Sequence, residues 1–568
     1  MPEPFFVSPL YAWFMGVVLA ASGGSLLAVK VVQIVLGAVA VWLAGDAARR
    51  LFDDRASVPA AALLAACGVV VFHESVLLQA ALDPFLTALA LWLLLRALDG
   101  AASFARFFAA GLALGLFAMN RPNVLPWAAV AAALIVAARG IRHWRMGFAF
   151  ALGTTLGVAP APLRNLLVAR EPVLVSSHGG LNFLVGNGPG ANGVYRSLDG
   201  ITPSIAGQAA DARKVAEAEE GRALSSREVS SHFARKAWAW IAAEPRAAAR
   251  LFARKVWYVF SSDEAPLNFS YPWYRGRSLA LKLLPVGPSL LVPLGGVGLA
   301  VLFLASGRFP KSDAAVWASF VPAYALLVGA FFVATRYRLP LYVPLAAAGG
   351  GAAVALVDSF RARRGKVLLL AALVATPLAA LSLWPTGLYD GAADEETEWI
   401  LHLIGSGEAA SVGEASKRAE ALAAIHPEPG VFWFRVGQAW AATGRLDDGI
   451  AALEKSLALD REQVETKGVL SKARERRGLE KALAGNGAAA LPDLEAAAAL
   501  DPKNASARLN LAAVLAERGE RDRARRLAEE ALALQPGYEK AEALLRALGG
   551  GARGGPGVQP RRGGGPPR

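Results

Sequence analysis

Eight ionisable residues stand at the ends of apolar stretches, where chemistry at a membrane surface would require them. In chain order they are Lys30, His73, Glu74, Asp83, Arg121, Arg164, Arg336 and Arg338. Ionisable side chains at a membrane are costly to keep and usually mark a functional site. The arginine fork binds phosphate oxygens in pairs, and a carboxylate can accept a proton. The set therefore suits a phosphate-bearing lipid headgroup beside a general base.

Each of these residues also has a structural interpretation. Arg336 and Arg338 could be interfacial anchors whose charged ends reach toward the headgroups. Asp83, followed by Pro84, could cap a helix, and Lys30 could lie at the interface. Both interpretations stay open on the residues alone, and the functional one rests on the set.

Other catalytic patterns are weak in this chain. The Gly186–Gly190 stretch is followed by no Gly-Lys-Ser/Thr, so it predicts turns and not a nucleotide-phosphate loop. No metal-ligand cluster has a recognisable spacing, and no nucleophile triad stands out. His178 and Glu264 are the remaining candidates for metal ligands, and a divalent metal stays open as a cofactor.

The composition indicates that membrane-spanning helices position these residues. Hydrophobic residues make up 55% of the 568 residues and charged residues only 18%, against about 25% in soluble domains. Several apolar stretches approach the ~20 residues that a spanning helix needs. They are 25–44, 58–72, 80–98, 104–119, 122–138, 146–162, 286–305, 313–333, 339–358 and 367–384, with a shorter one at 9–20.

Basic residues cluster in alternate connecting loops and predict the orientation of the chain. The loops are marked by Arg49, Arg50 and Arg55; Arg96 and Arg106; Arg139, Arg142 and Arg145; Arg308 and Lys311; and Arg361, Arg363, Arg364 and Lys366. The positive-inside rule places these five loops in the cytoplasm. The long 163–285 segment and everything after 385 then face outward. The formal net charge of +13 is interpreted in the same way, and nucleic acid is not expected as a partner.

This orientation places residues 1–8 outside, yet they have no signal-peptide pattern. We therefore expect a preceding transmembrane helix and outer loop to be missing from the sequence. The alternative is that 9–20 inserts as a short span and residues 1–8 stay inside.

The 163–285 segment is long enough to form a domain of its own. It opens with a Gly/Asn/Pro-rich stretch, 179–193, and two helices are expected to follow. One helix is predicted to start at a capping box formed by Ser225 and Glu228, and another to start with Pro245 in its first turn. The basic and aromatic residues of this second helix suit either the headgroup region or packing on its own loop domain.

A period of 34 residues appears after the last apolar stretch. His426 and Asp460 are separated by this distance, and so are Asp501 and Gln535. A helix–turn–helix unit of this length predicts tetratricopeptide repeats, which present a concave surface to proteins. The stretch 461–500 is interpreted as a degenerate, lengthened repeat, and the Gly/Pro/Arg tail 549–568 is expected to be disordered.

Five short motifs resemble the GT-C superfamily of polyprenyl-phosphate-sugar glycosyltransferases. They are Leu82-Asp83-Pro84-Phe85, Ser8-Pro9-Leu10-Tyr11, Arg121, Pro162-Leu163-Arg164-Asn165 and Arg336-Tyr337-Arg338-Leu339-Pro340, with Lys30 at a position that is usually basic. The chain is similar in particular to the family 39-like enzymes, including the lipid A aminoarabinose transferase and protein mannosyltransferases. The resemblance covers roughly 1–385.

The resemblance implies an inverting transfer of a sugar from a polyprenyl-phosphate carrier to a lipid, glycan or protein acceptor on the outer face. It implies that Lys30, Arg121, Arg336 and Arg338 bind the donor phosphate and that Arg164, Asn165 and Tyr337 line the substrate site in the outer loop. Asp83 matches the second acidic position and is assigned to the catalytic site. The principal acidic base of the family precedes the Pro-Leu-Tyr motif, where this sequence has only Glu3 at a different position. The resemblance therefore leaves the catalytic base unassigned in this chain.

The predicted fold is all-α. It comprises a GT-C-like transmembrane domain over 1–385 with the outer loop 163–285, a tetratricopeptide domain over 386–548 and the 549–568 tail. Expected partners are the lipid-linked sugar, membrane lipid and a protein bound by the repeats. The expected location is the bacterial inner membrane, with the repeats on the periplasmic side. The alternatives are a polysaccharide ligase or polymerase, and a non-catalytic transporter or scaffold.

Overall fold

The chain divides into two compact units with the boundary between Gly391 and Ala392. The structure is a computed structural model that describes residues 3–202, 204–304, 309–460 and 463–549. Helices make up nearly all the regular structure, and within these ranges there is no β-strand. The all-α prediction is confirmed.

The first part of the N-terminal unit is a bundle of apolar helices. Its elements are α1 Leu10–Ala21, α2 Leu26–Leu51, α3 Ser57–Ala65, α4 Gly68–Ser75, α5 Asp83–Leu98, α6 Phe104–Asn120, α7 Leu125–Arg139, α8 Trp144–Val158 and α9 Pro160–Leu167. The predicted apolar segment 58–72 forms two helices, α3 and α4. The chain breaks at Cys67 because the backbone there pairs with Val286: the Gly68 N–H donates to the Val286 carbonyl at 3.2 Å.

The 163–285 segment contains six helices in its described residues. They are α10 Gly179–Gly186, α11 Ile205–Glu220, α12 Ser226–Ala243, α13 Pro245–Phe260, α14 Tyr271–Arg277 and α15 Leu279–Lys282. The capping box of Ser225 and Glu228 is formed at the start of α12, and Pro245 opens α13, as predicted. The Gly/Asn/Pro-rich stretch 179–193 begins with α10, whose Leu181 and Leu184 are buried against α11 and α12, and bends and turns follow over 187–190. Gly180 permits this helix, because a Cβ there would lie 1.7 Å from the Ser230 carbonyl oxygen.

Helix α13, which the sequence placed either in the headgroup region or against its own loop domain, has a buried face. Leu251, Lys255, Tyr258 and Val259 are all buried, whereas Arg254 is exposed. The Lys255 ammonium donates to the Gly186 and Phe331 carbonyls and to the Asn187 amide oxygen. The structure therefore favours packing of this helix on its own unit.

The unit closes with five helices, of which the fourth is long and central. They are α16 Pro288–Leu304, α17 Lys311–Ala318, α18 Phe320–Gly329, α19 Thr335–Arg361 and α20 Gly365–Leu383. Helix α19 packs against α2, α3, α5, α16 and α18, and its residues from Leu339 to Ala352 are buried. Helix α19 is therefore the central helix of the bundle.

Six helical stretches among the described residues are long and apolar enough to cross a membrane. They are Leu26–Leu51, Gln79–Leu98, Pro122–Arg139, Lys311–Gly329, Thr335–Arg361 and Gly365–Leu383. The pair α8 and α9, bent by 48°, would make a seventh, and α1, α6 and α16 are shorter apolar helices. The chain is a multi-pass membrane protein.

The C-terminal unit is a series of antiparallel helices. They are α21 Ala392–Ser406, α22 Ala409–Ala423, α23 Pro429–Ala442, α24 Leu446–Leu459, α25 Val464–Leu483, α26 Gly487–Leu500, α27 Ala505–Glu517, α28 Arg521–Leu534 and α29 Glu539–Gly549. Glycines with positive φ end the first helix of three successive pairs: Gly444, Gly485 and Gly519. The lengthened repeat is visible in α25, with 20 residues against 14 in α24. The disorder expected after 549 falls on 550–568, which lie outside the described residues.

Candidate active site

A buried ion pair joins the start of α5 to the end of α6. The Arg121 guanidinium donates to Asp83 Oδ2 from Nε at 2.9 Å and from Nη2 at 2.6 Å. The Asn120 amide donates to Asp83 Oδ1 at 2.7 Å. Asp83 is fully buried and Arg121 is 5% exposed. Both carboxylate oxygens are therefore committed to neighbours on α6, and the pair fixes the direction of the Arg121 side chain.

The ring of Tyr337 at the start of α19 lies between two guanidinium groups. Arg121 is 4.8 Å from the ring centroid and Arg336 is 5.2 Å from it. Arg336 also donates to Asn268 and, at 3.4 Å, to the Tyr337 hydroxyl. Its buried Nε has no acceptor within the described residues. The cluster of Asp83, Arg121, Arg336 and Tyr337, hereafter the arginine cluster, thus contains two guanidinium cations and one carboxylate.

Arg338, two residues further along α19, is fully buried and links neighbouring segments of the chain. Its acceptors are the carbonyl oxygens of Tyr258, Ser261 and Asp263, the Thr335 hydroxyl and the Glu264 carboxylate. These bonds tie the end of α13 and the loop after it to the start of α19. Arg338 makes five such hydrogen bonds and is fully buried, whereas Arg336 makes two and is only partly buried, so Arg336 is the more accessible of the two to a ligand.

Arg164 and Asn165 hold the N-terminal segment against the start of the 163–285 segment. Arg164 donates to the Glu3 carbonyl at 2.6 Å, and its guanidinium lies 4.4 Å from the Phe5 ring centroid. The Asn165 amide donates to backbone carbonyls within 173–175 and accepts the Phe5 N–H at 3.0 Å. No contact within the described residues joins either side chain to the arginine cluster.

The predicted site residues thus separate into groups. Asp83, Arg121, Arg336 and Tyr337 come together, Arg338 supports their turn, Arg164 and Asn165 lie elsewhere, and Lys30 is exposed on α2. Lys30 makes no ion pair among the described residues. All eight assignments remain predictions of function, and the structure reports only which of them are neighbours.

Two residues of the cluster were missed by the sequence analysis. Asn120 binds Asp83 and also exchanges hydrogen bonds with the backbone and side chain of Gln79 at 3.0 and 3.1 Å. Its position next to Arg121, at the end of an apolar stretch, was the available signal. Asn268, which accepts from Arg336, lies in an irregular loop and had no such signal.

The two candidate metal ligands lie in different surroundings. Burial, together with the guanidinium groups of Arg336 and Arg121, lowers the pKa of His178 to about 4. Burial raises the pKa of Glu264, while the Arg338 guanidinium opposes this rise. Across the described ranges, no three His, Cys, Asp or Glu side chains form a group that could hold a metal ion.

Two family models match segments of the chain, one in each unit. Residues 4–162 match the family model of dolichyl-phosphate-mannose-protein mannosyltransferases. The N-terminal part is glycosyltransferase-like. This match implies a membrane glycosyltransferase of the GT-C type, and it includes Asp83 and Arg121. Residues 482–548 match a tetratricopeptide-repeat family. The resemblance stated from the motifs and the predicted repeats are confirmed.

No curated protein matches the chain. Among solved structures, "Crystal structure of MamA" is 23% identical over 24% of this chain and 76% of that chain, with a TM-score of 0.19. "Crystal structure of APC/C hetero-tetramer Cut9-Hcn1" is 13% identical over 82% of this chain and 91% of that chain, with a TM-score of 0.20.

Proposed function

We propose that the chain transfers a sugar from a polyprenyl-phosphate carrier to an acceptor at the outer face of the membrane. The proposal rests on the net positive charge of the arginine cluster. Asp83 neutralises Arg121, and Arg336 adds a second guanidinium whose Nε lacks an acceptor among the described residues. A phosphate supplies the missing negative charge and the missing hydrogen-bond acceptors.

The position of the cluster suits a donor that stays in the membrane. Helices α5 and α19 begin at the cluster and α6 ends there, so it lies at one end of the helix bundle. A carrier with its isoprenoid chain among the lipids can bring its phosphate to this level without leaving the bilayer. The positive-inside pattern of the loops supports an outward-facing site, where nucleotide sugars are scarce.

The reaction expected here is a displacement at the anomeric carbon. The acceptor oxygen forms a bond to that carbon, the bond from the carbon to the carrier phosphate oxygen breaks, and the phosphate leaves with the bonding electron pair. A base takes the acceptor proton. Arg336 and Arg121 stabilise the charge that develops on the leaving phosphate.

Asp83 is assigned as a positioning residue in this scheme. Its oxygens accept three hydrogen bonds from Arg121 and one from Asn120, which makes it a poor proton acceptor. Its role is to hold the Arg121 guanidinium toward the phosphate.

The repeats of the C-terminal unit support a protein partner or acceptor, since arrays of this kind bind peptides and proteins on their concave face. Together with the predicted topology, this suggests a cell-envelope enzyme of the bacterial inner membrane with the repeats outside.

Binding of the carrier tests the proposal directly. Undecaprenyl phosphate and neutral undecaprenol are compared as ligands of the full chain in lipid nanodiscs. We expect the phosphate to bind more tightly, and Arg336→Met to weaken it by about 10- to 100-fold, the value of one or two charge-assisted hydrogen bonds. Arg336→Lys should retain part of the affinity. Arg142→Met, at an exposed arginine between α7 and α8, is the matched control.

Equal binding of the phosphate and the alcohol would refute the proposal, as would an Arg336→Met variant with unchanged affinity. Turnover is measured separately, by release of a radiolabelled sugar from the carrier in membranes that contain the native protein.

A further inference from the structure

A groove opens in the 163–285 segment, apart from the arginine cluster. Its walls are the irregular stretch 172–177, the start of α10 and one face of α12. The cavity has a volume of about 430 Å³. This size falls within the range of small-molecule sites.

One end of the groove is an aromatic platform. Trp238 on α12 is 61% exposed. Its ring lies 5.1 Å from the ring of Phe183, which in turn lies 5.7 Å from that of Phe331. The indole is therefore supported by its neighbours on one side, while much of its surface is open to the groove. A large exposed aromatic surface of this kind is costly in water and suits a ligand with an apolar face.

The remaining walls carry polar side chains that are not used by the fold. The hydroxyls of Ser176, Ser177 and Ser231 and the guanidinium of Arg227 line the groove. None of these four groups has a hydrogen-bond partner within the described residues. Ser230 differs, because its hydroxyl already accepts the Gly180 N–H at 2.9 Å. The groove thus combines an apolar platform with several free donors and acceptors.

These features argue against one other kind of ligand. An acyl chain would bury the serine hydroxyls and Arg227 without hydrogen bonds, which is unfavourable.

We propose that this groove binds a carbohydrate the size of a mono- or disaccharide. A pyranose ring has an apolar face of C–H groups that fits against the Trp238 indole, and hydroxyls around its edge that pair with the serines and Arg227. Both requirements are met by one small ligand.

The position of the groove relates it to the arginine cluster. Phe331 lines the groove, and the ring of the next residue, Phe332, lies 5.6 Å from that of Tyr337 in the cluster. The sugar bound here would be part of the acceptor, an assignment that rests on the proposed glycosyltransferase function. Binding itself does not depend on that function.

Saturation-transfer NMR on the full chain in nanodiscs tests the binding. The probes are methyl α-mannoside, methyl α-glucoside and N-acetylglucosamine. We expect at least one of them to bind, and Trp238→Ala to weaken it by about 5- to 10-fold, the contribution of a stacked aromatic ring. Ser231→Trp should block binding by filling the groove. Trp384→Ala removes an exposed tryptophan outside the groove and should leave the affinity unchanged.

Two results would overturn the inference. One is the absence of saturation transfer from all three sugars, and the other is binding that Trp238→Ala and Ser231→Trp leave unaltered. A short acetylated Ala-Thr-Ala amide is included, and if it binds in a Trp238-dependent way while the sugars do not, the ligand class is wrong. Arg336→Met should weaken carrier binding and spare sugar binding, so failure of the two proposals can be distinguished.

Discussion

Replacing Asp83 by asparagine should destabilise the N-terminal unit more than replacing Arg121 by methionine. The asparagine leaves a guanidinium buried beside Tyr337 without a counter-ion, and a guanidinium cannot lose its proton. In the Arg121→Met variant the remaining carboxyl can take up a proton and become neutral. The two single variants remove the same ion pair, so the difference between them isolates the cost of the stranded charge.

The expected magnitude follows from the burial and geometry of the pair. Hydrogen bonds between neutral side chains inside membrane proteins contribute only ~0.6 kcal/mol on average. Here two charged groups are joined by three hydrogen bonds, and Asp83 is fully buried. Breaking a buried ion pair by removing one partner costs about 3–5 kcal/mol. At about 2 °C per kcal/mol for a large domain, Asp83→Asn should lower the melting temperature by about 6–10 °C.

The assay is a double-mutant cycle on the full chain in detergent, followed by thermal unfolding. The double variant Asp83→Asn/Arg121→Met should recover part of the loss, with a coupling energy of about 2 kcal/mol. A matched control is Asp358→Asn, which breaks an exposed ion pair in which Arg55 Nη2 lies 2.8 Å from Asp358 Oδ2. Exposed pairs of this kind contribute little, so its melting temperature should hardly move. Additive single variants, or Asp83→Asn no worse than Arg121→Met, would refute the argument.

Three further predictions concern other parts of the chain. Because burial lowers the pKa of His178 to about 4, the unfolded chain binds more protons than the folded chain below pH ~6.5. The free energy of unfolding should therefore fall on acidification, with a slope of up to about 1.4 kcal/mol per pH unit. The His178→Gln variant should lack this slope in thermal melts. Ser225→Ala breaks the capping box of α12 and should cost about 1 kcal/mol, seen as faster amide exchange in its first turn. Gly437→Val should loosen α23 from α24, since a Cβ there lies 2.7 Å from Leu453 Cγ. Gly468→Ala, in open space on α25, is the control and should if anything slow exchange.

The membrane helices could be predicted well from the sequence because their signal is local. An apolar run of sufficient length has few alternatives to a helix in a bilayer. One exception is 58–72, where composition predicts one segment and the structure has a break at Cys67. The break depends on backbone pairing with Val286, more than 200 residues away, which no local pattern encodes.

The candidate site was predictable in part for a related reason. Arg121, Arg336 and Tyr337 carry charge or a polar ring at the ends of apolar runs, which makes them visible in the sequence. Asn268 is polar in a polar loop and cannot be distinguished from its neighbours. Arg164 has the same type and the same kind of position as Arg121, yet it holds the N-terminal segment. Residue type and depth in the membrane restrict the candidates, but contacts between distant elements decide among them.

The start of α19 illustrates how one short motif combines support and binding. Arg336 and Arg338 are two residues apart, so their side chains leave the helix in very different directions. Arg338 points inward, where carbonyls and the Glu264 carboxylate surround it, and Arg336 points toward Tyr337 and Asn268. The second arginine thus fixes the turn from which the first is proposed to bind the carrier phosphate. Arg338→Lys should consequently weaken carrier binding through loss of geometry as well as stability, whereas Arg336→Lys should weaken binding and leave the melting temperature unchanged. If the melting temperature falls equally in both variants, Arg336 also holds the start of α19 in place. Arg336 would then no longer be assigned as the phosphate ligand.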